Sequence, residues 1–413
     1  MSSCSSIILK NNENVTFVSN PSITYFKSVY RKHTKFSIDY KEEDAEGDGN
    51  FKGADDAGGA QINIPLGCAA DLLCDISLRV RFRGGGDGYV FAPPDDIALH
   101  LIKSITCNII PRPIIFDKLD KEYINFNAML NNPKPLESTY TLDDGKLTCN
   151  NGNNFQNMAL CGGVTARHDF TDPIKIMDAI IPLPFGFSKS TGTAIPLCAF
   201  NQKTTQLKLL ISRDPNQDFG KLGEAENIIK AFKYSAVSKY IFLSDEEIKR
   251  FKTTRLYYLY ERVNKDGPFP TATGTPIHIN TLTKHPIKQI FISVPDGQDR
   301  VSNTLTYNVS VGNASMFSDK FHHEFFSKVE ILNKFKGCIY SKYDNKRHTI
   351  DDKVGIIDFS LKNTEGPSGC ISPSNNSILL EIDNANIELN VNIYTVCYYL
   401  LRISDMEIRY EFD

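Results

Sequence analysis

Alternating hydrophobic and polar residues mark β-strands along most of the chain. In Cys74–Phe82, every second residue is apolar and the residues between are Asp, Ser or Arg. A period of two places the apolar side chains on one face, which is typical of a strand that covers a core on one side. Residues 387–393 alternate in the same way. Shorter apolar runs, rich in β-branched or aromatic residues, occur at 207–211, 288–294, 305–311 and 354–361. Gly, Pro, Asn and Asp separate these runs, so the pattern predicts an all-β protein.

Helical signals are few and short. In one stretch, apolar residues recur at steps of three and four, at Phe116, Leu119, Tyr123, Phe126 and Leu130. This spacing predicts one amphipathic helix that ends near 131–133. Ser-Asp-Glu-Glu at 244–247 is a capping box and predicts a short helix to about Phe251. One or two helical turns are expected within 223–232. Strands and helices do not alternate regularly, which argues against a parallel doubly wound sheet.

A polar stretch rich in Pro and Gly, 213–220, divides the chain into two similar halves. The predicted organisation is an N-terminal arm (1–24), a first domain (25–213), a linker (214–223) and a second domain (224–413). Each half has room for about eight strands and its own core. The predicted fold class is therefore all-β, with two tandem eight-stranded antiparallel sandwiches of the jelly-roll type and a few short helices.

The amino-acid composition mainly excludes certain classes of protein. The 413 residues include 46 Lys or Arg and 49 Asp or Glu, a net charge of −3, whereas bulk electrostatic binding of nucleic acid needs a basic excess. No apolar run approaches the ~20 residues of a membrane-spanning helix, and the N-terminal apolar run is too short for a signal peptide. Ten cysteines without a Cys-x-x-Cys pair favour buried reduced thiols over disulfides or structural zinc. We expect a soluble, non-secreted protein with no direct nucleic-acid partner.

Two segments have the composition of binding sites, and each has a simpler interpretation. Residues 25–36 mix aromatic and basic side chains, as single-strand nucleic-acid platforms do, but surface charge beside an apolar face is favoured in a net-negative chain. The acidic, Gly-rich stretch 41–55 has oxygen ligands spaced as in a calcium loop, at Asp44, Glu46, Asp48, Asn50 and Asp55. Helices are not predicted beside this stretch, and its last candidate ligand is Asp rather than the longer Glu. A mobile surface loop is favoured there, and no metal is predicted.

Motifs for catalysis are absent from the sequence. The eight histidines form neither His-Glu-x-x-His nor His-x-His. The sequence has no Gly-x-Ser-x-Gly nucleophile elbow and no phosphate-binding loop. We therefore predict no catalytic residues, no cofactor and no enzymatic activity.

Several segments, taken together, resemble the major capsid proteins of large nucleocytoplasmic DNA viruses. Residues 20–36 are similar to the opening signature of that family. Further similar blocks follow in the family's order at 181–187, 194–200, 240–251, 285–288, 359–370 and 398–403. The residues that carry the motifs, and for which structural roles are expected, are Pro21, Phe26, Lys27, Tyr30, Arg31, His33, Phe36, Pro182, Pro184, Phe185, Pro196, Pro286, Pro367, Ser368, Gly369 and Arg402.

The sequence also departs from the family at identifiable places. Residues 64–71 replace a polar block of the family, and 108–111 stand where a Gly-Gly-Gln turn is usual. Gly186 occupies the usual tryptophan position. These departures leave a minor capsomer or scaffold-type paralogue as an alternative to the main shell protein.

The resemblance implies two tandem jelly rolls and a pseudo-hexagonal homotrimer that tiles an icosahedral shell. It also implies a place in the virion capsid after synthesis in the host cytoplasm. The implied partners are copies of the same chain, neighbouring capsomers and minor capsid proteins, with the inner viral membrane reached through intermediaries. A glycan-binding attachment protein and a cupin-like enzyme are the alternatives from other functional classes.

Overall fold

The computed structural model describes residues 24, 26, 28, 32–47, 49, 61–67, 70–84, 98–110, 114–131, 140–143, 146–149, 158–159, 176–200, 206–214, 229–271, 276–281, 283, 285–294, 305–311, 314–317, 319–335, 353–361, 367–372, 378–384, 389–404 and 407–411. The chain divides into two units, Met1–Lys35 and Phe36–Asp413. All described strands and helices lie in the second unit, which is called the main unit below.

The first half of the main unit forms two antiparallel sheets. Its strands are β1 (Phe36–Asp44), β2 (Gln61–Leu66), β3 (Leu72–Gly84), β4 (Ile102–Ile110), β5 (Ile114–Asp120), β6 (Tyr140–Asp143), β7 (Lys146–Cys149), β8 (Ile176–Pro182), β9 (Ile195–Pro196), β10 (Gln206–Arg213) and β11 (Ile229–Leu243). One sheet has the order β1-β11-β3-β8 and the other β2-β10-β4-β5. Strand β9 extends the first sheet beside β3, and β6 and β7 form a separate hairpin. Helix α1 (Lys121–Asn131) follows β5.

The second half repeats this arrangement. Its strands are β12 (Leu256–Thr271), β13 (Ile277–Thr281), β14 (Ile287–Ser293), β15 (Leu305–Val311), β16 (Ala314–Ser315), β17 (Phe321–His322), β18 (Val354–Asp358), β19 (Ile378–Asn384), β20 (Leu389–Ser404) and β21 (Glu407–Glu411). The sheets have the orders β12-β20-β14-β18 and β13-β19-β15-β16, with β17 beside β15 and β21 beside β20. Helix α2 (Asp245–Thr253) precedes β12, and α3 (Glu330–Lys334) continues a π-helical turn at Phe325–Val329.

Strand order identifies both halves as jelly rolls. When the eight principal strands of each half are numbered along the chain, with β16 and β17 sharing the fifth place, both halves have sheets of order 1-8-3-6 and 2-7-4-5. This is the order of an antiparallel eight-stranded double sheet of the jelly-roll type. The predicted fold class is confirmed, and the topology reveals a duplication that the sequence does not show.

A β-bulge lies at the same place in the third strand of each jelly roll. In β3 the ladder to β11 skips Cys74, and in β14 the ladder to β20 skips Lys288. Because a bulge fixes the local register, it aligns the two jelly rolls residue by residue and places Leu73 at the position of Ile287. This alignment defines the equivalent positions used below.

The last strand of the first jelly roll corrects one predicted domain limit. Strand β11 pairs with β1 and β3, although the predicted second domain, 224–413, included it. The composition of 213–220 is that of a linker, but the backbone amides of the next strand need ladder partners, which the first jelly roll supplies. We propose a division after Leu243. The other limits stay predictions.

The described helices also differ from the predicted ones. Helix α1 begins only at Lys121, because Phe116 and Leu119 lie on β5 and point into the core. Helix α2 begins at the predicted capping box, although the Ser244 side chain makes no capping hydrogen bond. The turns expected within 223–232 are wrong where residues are described, since β11 begins there. Among the described residues, no helix has the length and apolar character needed to cross a bilayer.

Four of the five cysteines whose side chains are described are buried like small apolar residues, as expected, and one is not. Cys74, Cys107, Cys198 and Cys397 are buried free thiols, and Cys370 is an exposed free thiol. Burial raises the pKa of the Cys198 and Cys397 thiols to about 11 each. They therefore stay protonated at neutral pH and contribute to the core by packing.

Candidate functional site

The N-terminal group of motif residues falls largely outside the described residues, and this applies to Pro21, Lys27, Tyr30 and Arg31. Within the unit Met1–Lys35, Phe26 is fully exposed, and the Nδ1 atom of His33 lies 2.8 Å from the carbonyl oxygen of Thr34. Phe36 is the first residue of β1 in the main unit and is exposed.

Of the five candidate calcium ligands, the two that the structure describes form ion pairs with lysines. Asp44 lies 2.5 Å from the Lys233 ammonium group, and Glu46 lies 2.8 Å from that of Lys208. Asp48, Asn50 and Asp55 lie outside the described residues. Within the described ranges, no three His, Cys, Asp or Glu side chains are grouped as metal ligands. The described carboxylates thus have a structural use as ion-pair partners.

Four motif residues converge on a cavity between the two jelly rolls. The cavity has a volume of about 940 Å³. Pro182, Pro184 and Phe185 line it from the first jelly roll, and Pro367 lines it from the second, together with Tyr398. The family-like blocks at 181–187 and 359–370 therefore meet at the junction between the jelly rolls, although they are far apart in the sequence.

The remaining motif residues of the main unit have separate structural roles. Pro196 lies in β9, and the Pro286 carbonyl oxygen accepts a 2.8 Å hydrogen bond from a backbone amide of β20. The Ser368 carbonyl oxygen accepts a 3.4 Å bond from a backbone amide in the preceding loop. A Cβ atom on Gly369 would lie 2.6 Å from a backbone oxygen, so only glycine fits. Arg402 donates a 2.8 Å bond to a carboxylate of β21.

At Gly186 the two jelly rolls meet backbone to backbone. A Cβ atom on this residue would lie 1.8 Å from the carbonyl oxygen of Glu261 in β12. The tryptophan that the resemblance implies at this position could not be placed without separating the two backbones. The absence of a side chain at Gly186 therefore permits the close contact between the jelly rolls.

A buried charge cluster lies beside this contact. The Glu261 carboxylate contacts Lys189 of the first jelly roll, and its Oε1 atom lies 2.7 Å from the Nζ atom of Lys288 in β14. Burial opposes ionisation of Glu261, but the two lysines together lower its pKa below the usual value. Burial lowers the pKa of Lys288, whose side chain has no solvent exposure. The cluster links the two jelly rolls through ions that depend on one another.

Asp117 is a second buried carboxyl at the junction. It lies on β5, and its Oδ1 atom accepts hydrogen bonds from the amides of Lys118, at 2.9 Å, and Val263 in β12, at 3.4 Å. Burial raises the Asp117 pKa to about 7, although the Arg262 guanidinium acts in the opposite direction. Arg262 itself lies over the Tyr399 ring, 5.1 Å from its centre. This part of the junction is therefore sensitive to pH near neutrality.

Helix α1 of the first jelly roll docks on a face of the β12-β20-β14-β18 sheet. The ring centres of Tyr123 and Phe126 lie 5.9 and 5.2 Å from that of Phe291 in β14. The Glu122 carboxylate accepts a 2.7 Å hydrogen bond from the Tyr394 hydroxyl in β20. Apolar contact area and a charge-assisted hydrogen bond thus fix the helix on the sheet. We call the face shared by Phe291 and Tyr394 the outer face of this sheet.

The equivalent outer face of the first jelly roll has a different chemistry. Arg79 on β3 donates 2.8 and 2.7 Å bonds to Glu42 on β1 and Asp178 on β8. Arg81 contacts the same two acids, at 3.0 and 3.4 Å. Ser235 on β11 donates a 2.7 Å bond to Glu42, which completes a polar network across four strands. Partly exposed ion pairs of this kind contribute little stability each.

The sequence pattern did not identify most of these junction residues. Glu122 and Tyr394, for example, are widely separated in the chain, and neither belongs to a recognisable motif. One usable signal is Lys288, which interrupts an apolar run at 287–294 and therefore requires a buried partner. The acids and bases of the junction bind one another, so the arrangement serves to hold the two jelly rolls in one orientation.

Comparison with known proteins agrees with this structural role. The family model for the N-terminus of the major capsid protein matches residues 24–243. The major capsid protein of Pyramimonas orientalis virus is 25% identical over 410 residues, which cover 93% of this chain and 92% of that protein. That of Paramecium bursaria Chlorella virus 1 is 24% identical over 276 residues, covering 66% of this chain and 54% of that protein.

Solved structures show the same fold. A quasi-atomic model of the PBCV-1 virus capsid matches with a TM-score of 0.69 and 18% identity, covering 94% of this chain and all of that chain. The Faustovirus major capsid protein matches with a TM-score of 0.59 and 9% identity, covering 92% and 93% of the two chains. The resemblance found in the sequence is confirmed. The chain belongs to the major capsid protein family of large DNA viruses and is a structural component of the virion capsid rather than an enzyme.

Proposed function

We propose that three copies of this chain form a pseudo-hexagonal homotrimeric capsomer, and that such capsomers tile an icosahedral shell. The observation that most strongly supports this proposal is the repeated strand order, 1-8-3-6 and 2-7-4-5, in both halves of one chain. Three copies of a two-lobed subunit supply six similar lobes, so threefold symmetry can fill a hexagonal lattice position.

The junction supports this proposal because a lattice subunit must keep its two lobes in a fixed orientation. The lobes are connected at two places, by the α1 helix on its sheet and by the Glu261 cluster with the adjoining backbone contact at Gly186. The buried aromatic contacts and the paired ions resist a hinge motion, since opening the junction would expose both to water.

The proposed partners are other copies of this chain, neighbouring capsomers and minor capsid proteins. The proposal extends to contact with an inner viral membrane through intermediaries and to synthesis in the host cytoplasm. Direct contact with the genome is not proposed, because a net charge of −3 supplies no basic excess.

The test is the mass of the purified full-length chain in solution. At micromolar concentration, light scattering coupled to size exclusion should give three times the mass of one chain, and electron microscopy should show hexagonal particles. A persistent monomer without such particles would overturn the proposal. The number of copies in each purified virion would separate a main shell subunit from the minor-capsomer alternative.

A further inference from the structure

The two jelly rolls have equivalent helical segments between their fifth and sixth strands. In the first, α1 follows β5; in the second, the segment 323–334 follows β17. Their sequences align without a gap, as Glu-Tyr-Ile-Asn at 122–125 with Glu-Phe-Phe-Ser at 324–327 and Leu-Asn at 130–131 with Leu-Asn at 332–333. The topology and the sequence therefore assign the same place to both segments.

One side of both segments is buried in its own jelly roll, but the other sides differ. Ile124 and the equivalent Phe326 are both buried. Tyr123 is 1% exposed because it packs on the second jelly roll, whereas the equivalent Phe325 is 36% exposed. Leu130 is fully buried, and the equivalent Leu332 is 58% exposed. The second segment thus exposes residues at the positions where the first is buried.

The sheet that would receive this segment also has an equivalent. The shared bulge places Ser77 of β3 at the position of Phe291, and Val237 of β11 at that of Tyr394. Along the same face of the edge strand β1, Phe36, Ile38 and Tyr40 are exposed apolar side chains. A row of exposed apolar residues on an edge strand is a surface that a partner covers.

We propose that the segment 323–334 of one copy docks on the outer face of β1 and β11 in a second copy, in the way that α1 docks on β12 and β20 within the chain. The inference rests on the proposed trimer and names its contact surfaces. The two surfaces are different, so the contact is head to tail, and a threefold axis closes it into a ring. Around that ring, contacts within chains and between chains alternate.

Charges at one end of the interface are reversed in a complementary way. Within the chain, the Asp120 carboxylate lies 2.9 Å from the Lys265 ammonium group. The same alignments place His322 at the position of Asp120 and Glu42 at that of Lys265. The acid and the base have exchanged sides, so a hydrogen bond from the His322 ring to the Glu42 carboxylate can replace the ion pair between two copies.

At the other end of the interface, the charges of the equivalent residues are not complementary. The residues equivalent to the Asp117–Arg262 pair are Asp319 and Asp39, which have the same charge. Two carboxylates at this place would repel each other if the copies approached there as closely as the lobes within the chain. The proposed contact is therefore limited to the helical segment and the outer face of β1 and β11.

Two substitutions test the two surfaces separately in the full-length chain. Leu332→Asp and Ile38→Asp should each raise the concentration at which half of the chains are trimeric by at least about tenfold, because each places a charge in an apolar contact. Tyr257→Asp is the matched control: Tyr257 lies on β12, the equivalent edge strand, with 52% exposure against 48% for Ile38. It should leave the trimer unchanged. Circular dichroism checks that all variants are folded.

A thiol cross-link locates the contact directly. Phe325→Cys and Val237→Cys, combined in one chain, should give covalently linked dimers and trimers after treatment with a short bifunctional maleimide, because the side chains at the equivalent positions, Tyr123 and Tyr394, lie next to each other with ring centres 5.9 Å apart. Each single variant is a control for the native thiols and should stay unlinked. A wild-type monomer would overturn the proposed function itself. A wild-type trimer that survives both aspartate substitutions, with no cross-linking, would overturn this interface and leave the trimer standing.

Discussion

The two jelly rolls have the same strand order but different outer faces. In the second, Phe291 and Tyr394 make the face aromatic, and α1 covers it. In the first, Glu42, Arg79 and Asp178 make it charged, and it is only partly buried. The sequence already shows the difference. Strand β14 has apolar residues on both faces, at Ile290, Phe291 and Ile292, because it is buried on both faces, whereas β3 alternates because one face is buried. The apolar pattern of a strand therefore reports how many of its faces are covered, and not which fold it belongs to.

The strongest test of this comparison is the docking aromatic of each jelly roll. Tyr123→Ala should reduce the free energy of unfolding by about 3–5 kcal/mol, because it empties a buried contact between α1 and the sheet. Phe325→Ala, at the equivalent exposed position, should cost less than about 1 kcal/mol in the isolated chain. Urea denaturation at a concentration that keeps the chain monomeric measures both. Equal losses would contradict the difference in burial between Tyr123 and Phe325.

The charge clusters of the junction and of the first jelly roll give a second test of the difference between the two outer faces. Glu261→Gln should cost about 3 kcal/mol, because Lys288 is left buried without its counter-charge. Glu42→Gln, in the polar network of the first jelly roll, should cost less than about 1 kcal/mol, since those ion pairs are partly exposed to solvent. Thermal unfolding at pH 7 compares the two variants. A larger loss for Glu42→Gln would show that the outer network, and not the junction, carries the stability.

The backbone contact at the junction is tested by a pair of glycines. Gly186→Ala should cost about 2 kcal/mol, because its Cβ atom would overlap the Glu261 carbonyl oxygen. Gly192→Ala, in the neighbouring turn, should change stability by no more than about 0.5 kcal/mol, since its nearest neighbour would be a Ser190 hydroxyl at 3.6 Å. Denaturation curves of the two variants decide whether the lobes meet as closely as described.

The smallest expected effect is a pH dependence from Asp117. Its pKa, about 7, lies above the ordinary value of an aspartate, so the folded state keeps a proton that the unfolded chain has already lost. The stability from this group is complete below pH ~4 and is lost as the pH rises through 7. Wild type should therefore lose on the order of 1 kcal/mol more than Asp117→Asn between pH 6 and pH 8. Parallel stability profiles for the two proteins would refute the assignment.

Local pattern predicted the strands and the fold class, because period-two alternation and turn residues act over short distances. It failed at Phe116 and Leu119, whose spacing fits a helix although they lie on β5. It also could not find the junction, since Asp117, Glu122 and Glu261 depend on partners in another lobe of the chain. Such contacts follow from topology, which becomes visible only when both jelly rolls are placed.

Strand β11 is the last strand of the first jelly roll to be synthesised, and this affects how the chain folds during translation. Strand β1 gains its ladder partner only when the ribosome has delivered the chain to Leu243, because Phe36 pairs with Leu243 and Asp44 with Ser235. Contacts between such distant residues form slowly, and until then the exposed apolar row of β1 lies on an unpaired edge. The first jelly roll can nevertheless close before any strand of the second has been made. Translation order thus separates the folding of the two similar lobes in time and limits strand exchange between them.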